Sequence, residues 1–295
     1  MESFKLNYSI IICICFLVSY HVNSQNKERS KRVINYATST IKIGVNYSND
    51  EVFMGRKDSI SAPYLYTSLE YKNKTGIYVS GAFSFLTKSE SNYIDVYLFS
   101  TGYNFYKNDF FADISVSAYF FNKASYTITS KVIADLTTQL QYDFSFANIG
   151  LISSVYFNED SNSDFFLTPQ LSYDFITKND KFQFSPTFSL NLGSQNFYQE
   201  FLIENNGYGW NSKYGDYDDE DYVEIIFEEK KKFNVLAYEL SLPIWYIEKS
   251  YFIFCNLSLA FPKNEANILI DESVLNKKSN NTFNWLIGFN YQFKS

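Results

Sequence analysis

Six tyrosines occupy one recurring position in this chain. Tyr71, Tyr103, Tyr142, Tyr173 and Tyr246 each close a run of alternating apolar and polar residues just before a short polar turn, and Tyr291 closes the last such run. Alternation with period two belongs to a strand that turns one face to an apolar medium and the other to a polar one. A soluble sandwich has no reason to end every second strand on an amphipathic ring. A membrane-spanning barrel does, because at the water–lipid boundary the ring lies in apolar surroundings while its hydroxyl stays wet.

The alternation is persistent. Ile41, Ile43, Val45 and Tyr47 oppose Lys42, Gly44 and Asn46, and the same pattern returns over 65–71, 112–120, 132–142, 165–175, 182–192 and 283–293. In the run from 132 it sets Val132, Ala134 and Leu136 on the apolar face. Residues 77–87, 93–105, 148–157, 234–246 and 251–261 bring the expected total to twelve strands, the register of 93–105 becoming irregular after Leu98. Short turns fall near Asn73, Asn108, Ser145, Asn179 and Lys249, the first four 34 to 37 residues apart. Longer connections span 48–63, 88–92, 121–131, 158–164, 194–232 and 262–281. An even strand count with short turns at one end and long loops at the other predicts an all-β fold: a closed antiparallel up-and-down transmembrane β-barrel with periplasmic turns and extracellular loops. Pro169 and Pro186 each remove a ladder donor and are expected to mark bulges.

Composition agrees. Aromatic residues make up 20 % of the chain, with 30 Phe and 26 Tyr against 5 Pro, which suits strands. A net charge of -7 speaks against a nucleic-acid partner, which needs a basic surface. The first 24 residues read as a secretory signal, with Lys5 before an apolar stretch from Ile10 to Val18 that is too short to span a membrane. Residues 25–38 form a polar periplasmic lead-in, and 39–295 form the barrel, whose longest outer loop is 194–232. Cys255 is the one cysteine beyond the signal, so no disulfide framework is expected.

The chain end, Gly288-Phe289-Asn290-Tyr291-Gln292-Phe293, resembles the assembly signal of bacterial outer-membrane barrels. Gly193-Ser194-Gln195-Asn196-Phe197-Tyr198 and Tyr238-Glu239-Leu240-Ser241-Leu242-Pro243 are similar in style to small uncharacterised outer-membrane barrels of Bacteroidota. The resemblance implies a Gram-negative outer-membrane location, a lipid-bilayer partner and insertion by the barrel-assembly machinery through the last strand. It carries no activity.

Chemistry is sparse. His21 is the only histidine and falls in the signal, so no imidazole is left for a nucleophile–base pair or a His-bearing zinc site; no enzyme, cofactor or metal is expected. The inner face is predicted to carry Glu70, Asp95, Asp113, Asp135, Asp174 and Glu239 against Lys42 alone, a field that favours cations. Asp216, Asp218 and Glu220 in the longest loop are a candidate for a cation site. Two functions follow: a narrow porin-like channel for small polar or cationic solutes, or a non-conducting scaffold whose loops bind a surface partner.

Overall fold

The structure is a computed structural model, and it describes residues 38–57, 62–87, 94–122, 125, 129, 131–159, 163–194, 226–227, 233–263, 267–270, 273–276 and 280–294. The strands are β1 (Thr40–Ser48), β2 (Tyr64–Lys72), β3 (Ile77–Leu86), β4 (Ile94–Lys107), β5 (Phe110–Phe121), β6 (Val132–Asp143), β7 (Asn148–Asn158), β8 (Ser163–Ser172), β9 (Phe175–Ile176), β10 (Phe182–Phe184) and β11 (Thr187–Gly193). They continue with β12 (Ile226–Phe227), β13 (Asn234–Glu248), β14 (Tyr251–Pro262), β15 (Asn267–Ile270), β16 (Ser273–Asn276) and β17 (Thr282–Lys294).

β8 with β9, and β10 with β11, are two spanning strands, each briefly interrupted. Counted so, twelve antiparallel strands close a ring. The seam is β1 against β17, in register from Thr40↔Lys294 to Ser48↔Leu286. Closure pairs both edges, which a sheet in hydrocarbon requires because no water is there to satisfy a free edge.

The two faces are inverted relative to a soluble protein. Along β1 and β2, Ile41, Ile43, Val45, Leu69 and Tyr71 are exposed, and Phe99, Val116, Phe120 and Phe289 repeat this around the ring. The buried side chains are instead mostly polar, among them Asp95, Asp135, Asn148, Ser154, Thr168 and Asn191. Large apolar rows on the outside and a polar interior are stable only where hydrocarbon is the outer solvent. The protein is an outer-membrane β-barrel.

Among the described residues three bulges adjust the faces, all near the strand ends that carry the long connections. The register shifts by one between β3 and β4, leaving Asp95 as the extra residue. The same happens at Ile133 in β6 and at Leu236 in β13. A bulge reverses which face the following side chains take. Val132, expected outside, is therefore buried while Ile133 is exposed. β4 alternates cleanly beyond its bulge, with Tyr97, Phe99, Tyr103 and Phe105 all outside.

The prolines behave differently from expectation. Pro169 stays in register with Leu151 of β7, and the ladder to β11 skips Leu190 and Asn191 without a shift. Pro186 sits in the break between β10 and β11, across which the register to β13 is unchanged. Neither marks a bulge. Each removes one donor, as Pro243 does opposite Ser185, whose own amide bonds to the Pro243 carbonyl at 3.0 Å. A groove of about 540 Å³ lined by Leu171, Pro186, Phe188, Leu240 and Leu259 lies over this stretch on the outer, lipid-facing wall.

The two longest loops are not wholly irregular. β12, inside 194–232, pairs with β15, inside 262–281, and β15 pairs with β16 to give a separate three-stranded sheet. The remainder of the long loop, the signal and most of the lead-in lie outside the described residues.

Candidate functional site

Residues 49–57, which follow β1, fold into the barrel. Its tip is a two-residue hairpin: the amide of Phe53 bonds to the carbonyl of Arg56 at 2.8 Å, and the amide of Arg56 to the carbonyl of Phe53 at 2.9 Å. Met54 (φ 49°) and Gly55 (φ 79°) both take left-handed backbone, as a tight turn with mirror-image geometry needs. Asp50 clasps the base. It accepts from Lys57 Nζ at 2.7 Å and from the Ala62 amide at 2.9 Å.

This segment crosses the lumen. The Phe53 ring lies 5.4 Å from both Tyr156 of β7 and Phe166 of β8, which stand six and seven strands round the ring from β1. Gly55 abuts Ala237 of β13 and Ala260 of β14 so closely that a Cβ at this position would collide with Ala237. Arg56 is fully buried, its Nη2 donating to the Lys263 carbonyl at 3.0 Å. Glu51 accepts from Thr129 Oγ1 at 3.5 Å. Segment 49–57 thus touches opposite walls and forms a plug at the mouth that carries the long loops.

The inner-face acids predicted from sequence are spread along the wall, from the level of the plug to the short-turn end, rather than gathered. Asp95 is wholly buried and accepts from Tyr64 Oη at 2.9 Å and Ser125 Oγ at 3.0 Å. Asp135 accepts from Tyr119 Oη at 2.8 Å and Thr137 Oγ1 at 2.7 Å. Ser185 Oγ donates to Asp174 at 2.6 Å. Asp113 is bonded by Asn104 and by Tyr78 Oη. Glu239 is half-buried opposite Ser189. Lys42 and Glu70 pair at 3.0 Å near the short-turn end, with side chains 31 % and 27 % exposed.

Lys42 is not the only inward cation. Lys72 lies on the same face of β2 as Glu70, its Nζ 5.8 Å above the Tyr106 ring, and Arg56 joins it in the plug. Sequence reasoning missed Glu51, Phe53, Gly55 and Arg56 altogether.

On the outer wall, Tyr71, Tyr103, Tyr142 and Tyr291 are exposed at the short-turn ends of their strands. Tyr246 packs on Phe182 at 4.8 Å, and Tyr173 on Phe175 at 4.8 Å. Asp216, Asp218 and Glu220 lie outside the described residues. Among the described residues no group of three acidic, histidine or cysteine side chains is placed to hold a metal ion.

No family model and no curated protein sequence matches the chain. Among solved structures it is similar to the KdgM porin at 8 % identity and a TM-score of 0.46, over 86 % of this chain and 99 % of that one. The NanC porin overlaps at 12 % identity and a TM-score of 0.42, over 85 % and 98 %. LpxR from Salmonella typhimurium gives 9 % and 0.40, over 85 % and 99 %. Overlaps this loose say nothing of cargo. The closed wall and its inverted faces stand on the ladders and exposures above.

Proposed function

We propose that the barrel is a narrow outer-membrane channel for small polar or cationic solutes, shut at rest by segment 49–57. The observation that carries this reading is the inner wall below the plug, where Glu70 and Asp113 are only partly covered while the outer mouth is filled. A low-dielectric tube lined by carboxylates concentrates cations and repels anions. The six strand-end tyrosines would anchor the wall at the membrane boundary, and the last strand would be the part read by the assembly machinery.

Planar-bilayer recording tests the reading. Steps with a reversal potential displaced toward cation permeation in a salt gradient are expected; anion preference overturns it. A non-conducting scaffold is the second reading. The filled mouth favours it, as does the sheet of β12, β15 and β16, which ties two outer loops together as a display surface needs. A barrel that stays silent after the plug is disabled would decide for the scaffold.

A further inference from the structure

We propose that Glu51 is a proton-operated latch: with its carboxyl protonated, segment 49–57 stays docked and the outer mouth shut, and ionisation drives the segment out. The role of the latch in permeation rests on the channel reading above; the docking equilibrium itself does not.

Glu51 stands two residues before Phe53, at the point where the segment leaves the wall. One of its oxygens takes the 3.5 Å bond from Thr129, in the connection between β5 and β6. The other, Oε2, is buried with no hydrogen-bond partner. Among the described residues, the charges that act on it are those of other acids. β4 presents Asp95, also fully buried, whose Oδ2 is already held by Tyr64 and Ser125 and whose Oδ1 has no partner. β2 presents the hydroxyls of Tyr64 and Tyr66, both close enough to be acted on by Glu51. The segment itself adds a second acid, Asp50. Among the described residues no cation bonds to Glu51: Lys57 pairs with Asp50 at 2.7 Å, Arg56 Nη2 donates to the Lys263 carbonyl at 3.0 Å, and Lys131 pairs with Glu159 at 3.6 Å. An anion at Glu51 would therefore be a third carboxylate in a covered space, with one oxygen unsatisfied.

The titration follows from that geometry. Burial first, then the charges of Asp95 and Asp50, push the Glu51 carboxyl from 4.5 up to about 8 while the segment is docked. Undocked and in water it returns to the ordinary range. A raised docked value means that the proton is held more tightly in the closed state. Closure is strongest below the ordinary glutamate value, is lost progressively as pH rises toward 8, and changes no further above that. One proton makes the open-to-closed ratio climb about tenfold per pH unit across that window. Acid shuts the mouth.

The test uses the full chain, refolded in detergent and then in planar bilayers. A thiol at the plug tip, Met54→Cys, is labelled with a maleimide and read at residue 54 by mass spectrometry. The same thiol in a Glu51→Gln background, which is uncharged at every pH, cancels the ordinary pH dependence of thiol reactivity. The ratio of the two labelling rates is expected to rise about tenfold per pH unit between roughly 5 and 8 and then to level off. Glu51→Asp should keep that dependence. A ratio that stays flat from pH 5 to 9, or a Glu51→Gln plug that labels faster than the parent at pH 6, overturns the latch. Bilayer recording separates the two claims. If the ratio follows pH but no current passes, the channel reading fails and the latch stands. If current passes and the ratio is flat, the reverse holds.

Discussion

The two ends of this barrel enclose the same lumen and treat it in opposite ways. At the long-loop end the interior is filled: Arg56, Tyr64, Asp95, Val132, Asp164, Phe166 and Leu236 are all buried almost completely. At the short-turn end Lys42 and Glu70 keep about a third of their side-chain surface, and Lys72 lies over the Tyr106 ring. The wall strands are the same strands; at the long-loop end their bulged, inward-facing residues pack together with one inserted segment. Twelve strands stand between the small barrels that side chains fill and the large ones that leave an aqueous channel. One nine-residue piece of loop packs across the lumen at the long-loop end, and the residues of the other end stay partly exposed.

The filled end depends on packing and should respond strongly to truncation. Phe53→Ala removes the ring that reaches β7 and β8, and a large-to-small change of this kind costs about 3 kcal/mol. That shifts the docked-to-undocked ratio on the order of a hundredfold. Single-channel recording should show long openings replacing brief ones, and unchanged gating would break the contrast between the two ends.

Arg56→Gln comes next. It deletes a charged donor to the Lys263 carbonyl, worth about 2 kcal/mol, and leaves the ring contacts in place. Proteolysis of the segment, or labelling at its tip, should rise, but less than for Phe53→Ala. An effect larger than that of Phe53→Ala would mean that charge, rather than ring packing, holds the plug.

At the wet end the expected effects are small. Glu70→Gln breaks a partly exposed pair worth about 0.5 kcal/mol, so thermal stability should hardly move. Cation preference should fall slightly and the loss should vanish at about 1 M salt, where charges are screened within about 3 Å. A marked loss of stability would show that this end is as tightly built as the other.

How far the sequence could be read follows the same division. Wherever a strand runs through hydrocarbon, its side chains obey period two, and β1, β2, β5 and β17 were legible residue by residue. So were the turns, because each needs a polar or left-handed residue such as Asn108, Ser145 or Lys249. Near the loop ends the rule fails for a physical reason. The bulges at Asp95, Ile133 and Leu236 insert one residue and reverse the faces, and a pattern count has no term for an inserted residue. The plug is harder still. Glu51, Phe53, Gly55 and Arg56 follow no period, because a loop that packs inward is held by individual contacts. The one available hint was Phe53-Met54-Gly55, apolar residues around a glycine in a stretch that solvent should have kept polar. Pairing between β12 and β15 was equally hidden, since two loops distant in sequence share no local signal.

The most direct measurement is the single-channel conductance, at pH 6, of a chain whose segment 51–57 is replaced by a glycine–serine linker of equal length. A larger, steady, cation-preferring current than that of the intact protein is the predicted result. Traces indistinguishable from those of the intact protein would contradict the claim that this segment closes the lumen.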